Sequence, residues 1–207
     1  MKERPILFSG PMVRAILGRK TQTRRVVVPT QSKPRVAPLR MEPWIIDGER
    51  QEDDNGLPCW AGFHPDYPGE AKWFTCPYGQ PGDRLWVRET WWGTIAYTVP
   101  EGHEQRFVAY RATMKGDRSP AADGKWRPSI FMPRWASRIT LEVTAVRVER
   151  VQDISEEDAR AEGIEWKNLP RSAWRNVFSR LWNEINAARG YGWDTNPWVW
   201  VLTLKRI

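Results

Sequence analysis

Arg4-Pro5-Ile6-Leu7-Phe8-Ser9 predicts a short strand. Gly10-Pro11 then opens a helix, because a proline at the first helical position lacks only an N–H that has no partner there. Met12, Val13, Ile16 and Leu17 recur at helical spacing, and Gly18 predicts a left-handed stop. The polar run Arg19-Lys20-Thr21-Gln22-Thr23-Arg24-Arg25 reads as a turn ahead of the β-branched Val26-Val27-Val28, which Pro29 ends. Pro81-Gly82-Asp83 is a second turn, and Arg84 to Trp91 alternates as a strand. A strand is expected at 106–110. Ser137 to Val143 alternates again, and its phase slips by one near Ala145-Val146, which predicts a β-bulge. Ser155-Glu156-Glu157-Asp158 has the form of a capping box before a short helix that Gly163 closes. Pro170 predicts the start of a longer helix with Trp174, Val177, Phe178, Leu181, Trp182 and Ile185 on its apolar face, ended by Gly190. Trp198 to Leu204 is the last strand.

Strands at both ends with helices between predict an α+β fold: a small mixed β-barrel closed by its termini, with flanking helices. The chain reads as a single domain over 1–207. Residues 29–80 and 93–130 are rich in Pro, Gly and charge and read as two irregular insertions. The 41% hydrophobic content of 207 residues is enough for a core. No apolar run approaches the roughly 18 residues of a membrane span, and MKERPILFSG lacks the apolar stretch of a signal peptide. Two cysteines cannot build a disulfide framework, so a reducing cytoplasm is expected. Cys59, His64, Cys76 and His103 have no zinc-ligand spacing, so neither a metal nor another cofactor is expected.

Charge sharpens the picture. The chain carries a net +7, but residues 1–40 alone hold ten Lys/Arg against Glu3, which makes that segment +9 and the rest −2. Of the 32 basic residues 24 are Arg, the side chain suited to bidentate phosphate contacts and base stacking. A localised positive field fits a phosphate-facing surface. The 14 tryptophans have two readings. Trp174, Trp182, Trp198 and Trp200 fall on core-facing patterns, whereas Trp86, Trp91, Trp92 and Trp135 lie at strand ends near arginines, where a base can stack.

The 19–25 cluster is the main candidate for chemistry. A lysine crowded by arginines has its charged form disfavoured and can act as a general base. A threonine hydroxyl needs such a base to attack a carbonyl. In an extended segment Thr21, Thr23 and Arg25 share one face, and Lys20, Gln22 and Arg24 the other. A solvated basic turn that binds phosphate explains the same residues. Glu162 likewise reads either as a site residue or as an exposed acid at a helix C-terminus.

The stretch from Ile16 to Arg25 resembles the opening signature of ASCH domains, members of the PUA-like superfamily. Pro81 to Glu89 resembles that family's second landmark, Ile139 to Val151 with Asp153 to Ile164 its third, and Trp198 to Lys205 its closing strand. The chain is also similar to ASCH proteins of phages and prophages. The resemblance implies a β-barrel with flanking helices and a cleft that engages RNA or a modified nucleoside. It further implies a phage- or prophage-encoded protein in a bacterial cytoplasm. Small bacterial members are amidohydrolases that remove the acetyl group from N4-acetylcytidine. By their Gly-x-Lys-Thr-x-Thr-x-Arg pattern, Lys20 falls on the catalytic Lys, Thr23 on the Thr and Arg25 on the motif's Arg. Glu162 falls on the catalytic Glu of the third block. Arg19, Thr21, Arg24, Arg25, Arg88, Glu89, Trp86 and Trp91 are the expected substrate contacts. Other members are ribonucleases, and this chain is about twice the length of the small amidohydrolases, with Trp44, Trp60, Trp73 and Trp126 in the added segments. The expected partner is therefore RNA or a modified nucleoside, with DNA left open and no membrane. A non-catalytic nucleic-acid or modified-base binding module and a ribonuclease stand as the alternatives.

Overall fold

The computed structural model describes residues 1–27, 40–43, 45–46, 49–51, 59–64, 67–96, 105–116, 120, 125–164, 170 and 173–207; at 40–43, 45–46, 49–50, 62–64, 67–74, 95–96 and 105–106 the backbone alone is described. The elements in chain order are β1 (Glu3–Leu7), α1 (Gly10–Gly18), β2 (Gln22–Val26), β3 (Arg40–Pro43), β4 (Ile45–Ile46), β5 (Glu49–Arg50), β6 (Cys59–His64) and β7 (Tyr67–Thr75). They continue with β8 (Arg84–Arg88), β9 (Trp91–Ala96), β10 (Gln105–Tyr110), β11 (Thr140–Arg150), α2 (Glu156–Ala161), α3 (Trp174–Asn186) and β12 (Trp198–Arg206). Among the described residues no helix is long and apolar enough to cross a membrane.

The main sheet has five strands in the order β1-β8-β11-β12-β2. β1 and β8 run parallel and the other pairs antiparallel, so the α+β class holds. The register of β11 against β12 shifts between Val143 and Ala145, where the broken alternation placed a bulge. Alternation along β12 builds two cores. Trp200, Leu202 and Leu204 face Ile6, Val13, Leu85, Val87, Leu141 and Val143. Val199 and Val201 face Ile154, Ala159, Phe178 and Trp182 on the other side. A strand buried on both faces reads as a continuous apolar run, which Trp198 to Leu204 is.

Several expectations need correction. Among the described residues β1 and β2 are unpaired edges, so the sheet is open rather than a closed barrel. A side chain spans the gap instead of a ladder: Arg25 Nη2 donates to the Leu7 carbonyl at 2.6 Å while its guanidinium lies 5.0 Å from the Phe8 ring centre. The described residues of the 29–80 segment are in part regular: they hold the three-stranded sheet β3-β6-β7 and the β4-β5 pair. Trp60 on β6 is buried in the first core, edge-on to Trp200 at 4.8 Å. The 93–130 segment begins inside the β9-β10 hairpin. The Arg84–Trp91 strand is two strands, β8 and β9. Gln22 to Val26, read as turn and strand start, is itself β2, since pairing with β12 outweighs the low strand propensity of its polar residues. Gly18 has no positive φ; α1 ends where the Arg19 and Lys20 N–H groups both reach the Ala15 carbonyl. The long helix starts at Trp174, not Pro170, and the Pro170 carbonyl accepts a turn bond from Ala173 N–H. The short helix behaves as expected: Ser155 Oγ accepts from the Asp158 N–H at 3.0 Å and Gly163 has φ +84.

Candidate functional site

The turn after α1 brings Lys20 against the end of α2. Thr21 N–H donates to the Ala161 carbonyl at 2.8 Å, and the Thr21 carbonyl accepts from Leu204 N–H at 2.7 Å. Gly163 lies between the two ends. A Cβ on it would come within 2.8 Å of Ala15 Cβ and 2.9 Å of Lys20 Cβ, so only glycine permits this approach. The approach sets the neighbouring Glu162 on Lys20. Lys20 Nζ donates to the Glu162 carbonyl at 2.8 Å and to its carboxylate Oε2. Both residues are buried, at 7% and 8% exposure, which discards the reading of Glu162 as an exposed acid.

Arg24 holds the other oxygen of that carboxylate. Its Nη1 donates to Glu162 Oε1 at 3.1 Å. The same guanidinium donates to Glu149 Oε1 at 3.0 and 2.6 Å and to Asp158 Oδ2 at 2.9 Å. Arg147 bonds Glu149 and Asp158 from the exposed side. Three carboxylates thus meet the donors of three basic side chains, so each buried oxygen of the network has a partner. Glu149, Asp158 and Arg147 were not among the sequence candidates. Arg147 and Glu149 stand two apart on β11 and so share a face, which is the one signal the sequence carried.

Burial pushes the Lys20 pKa below its ordinary 10.5; Glu162 opposes this, and Arg25 and Arg24 add to it. Burial also acts against the charge on Arg24, but Glu162, Glu149 and Asp158 outweigh it and its pKa is raised. Burial lowers the Arg25 pKa, against the opposing influence of Tyr78 and Glu162. Tyr78, half-buried beside the first core, is a further group the sequence did not single out.

Thr23 and Arg25 lie opposite Leu202 and Trp200, so they project to the first core, whereas Arg24 lies opposite Val201 and projects toward α2 and α3. Thr23 is fully buried. Among the described residues its Oγ1 has no hydrogen-bond partner, so it is bonded to neither Lys20 nor Glu162. A buried hydroxyl without a partner is rare enough to need a reason.

The remaining candidates divide. Arg19 and Thr21 are exposed beside the site. Arg88, Glu89, Trp86 and Trp91 contact one another's surroundings instead of the Lys20 network. Arg88 lies 4.8 Å over the Trp86 ring and donates to the Met132 carbonyl at 3.1 Å. Glu89, 1% exposed, takes a two-pronged bond from Arg138 at 2.9 and 3.0 Å. Trp86 and Trp91 are buried, so neither offers a free ring face. Trp44 and His103 lie outside the described residues, as do the side chains of His64 and Trp73. Cys59 and Cys76 are buried thiols outside any disulfide, and burial pushes Cys76 up to about 12. Comparison with protein-family models, with curated proteins and with solved structures gave no match.

Proposed function

We propose that the chain is an ASCH-type, PUA-like protein that binds RNA or a modified nucleoside and hydrolyses an amide on it, as N4-acetylcytidine amidohydrolases do. One observation carries the reading. Lys20 and Glu162, 142 positions apart, meet as a buried pair, and the threonine three residues after that lysine keeps a hydroxyl with no partner among the described residues. The resemblance assigns the base, the acid and the nucleophile to these three residues.

The chemistry follows from their surroundings. Burial and the two arginines favour the neutral lysine, the form a general base needs. As substrate enters, Lys20 takes the proton of Thr23 Oγ1 or of a water, and that oxygen attacks the acetyl carbonyl. Arg25, on the same strand face as Thr23, is the cation available to the oxyanion. Glu162 receives that proton from Lys20 and passes it to the leaving amine, while Arg24 fixes the orientation of its carboxylate. If Thr23 attacks, water then releases acetate from the acyl-threonine. The net change is one amide and one water to amine, acetate and one proton.

The test is incubation with N4-acetylcytidine and with mixed RNA, read by mass spectrometry, with Lys20→Ala in parallel. Cytidine is expected, and its rate rises with pH as Lys20 loses its proton below 10.5. Lys20→Ala loses about 10²–10⁴-fold. Cut RNA instead of cytidine selects the ribonuclease. If neither substrate changes while RNA is bound, the protein is a binding module.

A further inference from the structure

We infer that Glu149 is a positioning residue of the Lys20 site: it pins Arg24, and through Arg24 it fixes the carboxylate of Glu162 and the charge that Lys20 meets. The register places the parts. β12 lies between β11 and β2, and Arg147 and Arg24 both pair with Val201, one from each side. Arg24, 5% exposed, needs acids within reach. Glu149, opposite Val199 on β12, and Asp158 on α2 supply them. Every nitrogen of the Arg24 guanidinium is engaged. Nε and Nη2 both donate to Glu149 Oε1, at 3.0 and 2.6 Å. Nη2 also donates to Asp158 Oδ2 at 2.9 Å, and Nη1 donates to Glu162 Oε1 at 3.1 Å and to Gln22 Oε1 at 3.4 Å. Two nitrogens held on one oxygen fix the direction of the planar fork. Nη1 therefore meets Glu162 Oε1 from a set direction, and Oε2 is left to Lys20. Arg147 Nε donates to Glu149 Oε2 at 3.0 Å, so the pinning carboxylate is itself held at both oxygens. Glu149 and Asp158 would be enough to brace Arg24 for the fold; the third carboxylate on the same guanidinium is the one that touches Lys20.

This role rests on the reading of Lys20 as the base and Glu162 as the acid. The charged groups that face Lys20 are Glu162 at the end of α2 and Arg25 and Arg24 on β2. Behind Arg24 stand Glu149 and Arg147 on β11 and Asp158 on α2. Burial does most to favour neutral Lys20, Glu162 opposes it, and Arg25 and Arg24 add to it. The Glu149 carboxylate offsets the Arg24 charge. Without it Arg24 acts in full on Glu162, which then holds the Lys20 ammonium less well, and the positive field at Lys20 grows. Both changes favour the neutral amine. Loss of the Glu149 charge therefore moves the Lys20 titration to lower pH, and with it the acid limb of kcat/KM.

The experiment titrates the lysine side-chain carbons of the full chain by NMR, where the Lys20 signal is the one missing from Lys20→Met. The pH profile of kcat/KM on N4-acetylcytidine is measured beside it. Glu149→Gln is expected to shift both downward by about 0.5–1 pH unit, the scale of one charge at an effective dielectric near 20. Glu149→Asp keeps the charge and is expected to leave both within about 0.2 pH unit of the parent, even where it melts as early as Glu149→Gln. An unmoved Lys20 in Glu149→Gln overturns the role. So does an equal shift in Glu149→Asp, which would mark loosened packing instead of charge. Should Glu149→Gln not fold, Arg147→Gln decides. It removes the cation that shares Glu149, so Glu149 acts more strongly on Arg24 and Lys20 titrates at higher pH; an unmoved or lowered Lys20 overturns the role. If no protein releases cytidine while Lys20 shifts as expected, the hydrolase reading fails and the hold of Glu149 on the Lys20–Glu162 pair stands. Cytidine released with Lys20 unmoved leaves the hydrolase and overturns this role.

Discussion

At the scale of single residues, the site depends on a glycine as much as on its charged groups. Lys20 and Glu162 can meet only because the chain turns left-handed at Gly163, φ +84, directly under the Lys20 Cβ. Gly163→Ala places a methyl 2.8 Å from Ala15 Cβ and 2.9 Å from Lys20 Cβ, in a backbone conformation that alanine resists. The expected cost is about 1–3 kcal/mol from the backbone alone, with the clash added. Urea unfolding measures it, and a variant as stable as the parent would show that α2 does not need this approach. The charged members were partly legible. Lys20 and Glu162 were singled out together, and the structure brings these two into contact, with Glu162 buried where helix position alone allowed an exposed acid. Arg24 was expected to touch substrate, yet Glu149, Asp158 and Glu162 hold it. The residues of a three-carboxylate network lie more than a hundred positions from Arg24, and no local spacing records that. Trp86 and Trp91 failed as base platforms for a related reason: adjacency to arginine in sequence says nothing about which ring faces stay open.

At the scale of elements, α3 shows how a periodic stripe can be right in kind and wrong in width. The pattern put Leu181 and Ile185 on the apolar face beside Phe178 and Trp182. In the structure Phe178, Trp182 and Asn186, spaced four apart, face the core, while Leu181 is 37% and Ile185 44% exposed. Asn186 replaces an apolar residue there because its amide donates to the Trp182 carbonyl at 3.1 Å and its own carbonyl accepts from Tyr191 N–H. Trp182 adds an indole N–H to the Tyr191 carbonyl at 2.8 Å, so helix and following loop share one anchor. Trp182→Ala should therefore cost about 3–5 kcal/mol. Leu181→Ala and Ile185→Ala should each stay within about 0.5 kcal/mol. Chemical denaturation of the three variants decides it; equal losses would restore the wider stripe. The capped α2, the bulge in β11 and the doubly buried β12 were legible because each is written in consecutive residues. The β3–β7 strands were not, since Pro, Gly and charge hide the pairing of β6 with β7, which depends on register between segments.

At the scale of the whole molecule, an open sheet needs its outer strand held by something other than a second neighbour. At β1 the holding group is Asp83, a carboxylate 3% exposed at the head of β8. It accepts from Lys2 N–H at 2.7 Å, from Arg4 Nη1 at 2.6 Å and from Gln80 N–H at 3.3 Å. Its own backbone carbonyl accepts from Val143 N–H at 2.9 Å, which ties the same residue to the bulge of β11. Burial pushes the Asp83 pKa up, but the bonds from Lys2, Arg4 and Gln80 outweigh it and hold the group below its ordinary 3.8. The folded state therefore favours the carboxylate more than the unfolded chain does. That stabilisation is fully present above 3.8 and is lost as pH falls through the lower folded-state value. Asp83→Asn keeps the shape and removes the charge. Its expected cost at pH 7 is about 1.5–3 kcal/mol, the range for hydrogen bonds to a charged group. In acid the parent loses the same contribution, so the gap between parent and variant should close. Thermal unfolding of both proteins at pH 7 and well below 3.8 separates charge from shape: a gap that is the same at both pH values would mean that Asp83 holds β1 by packing and neutral hydrogen bonds alone.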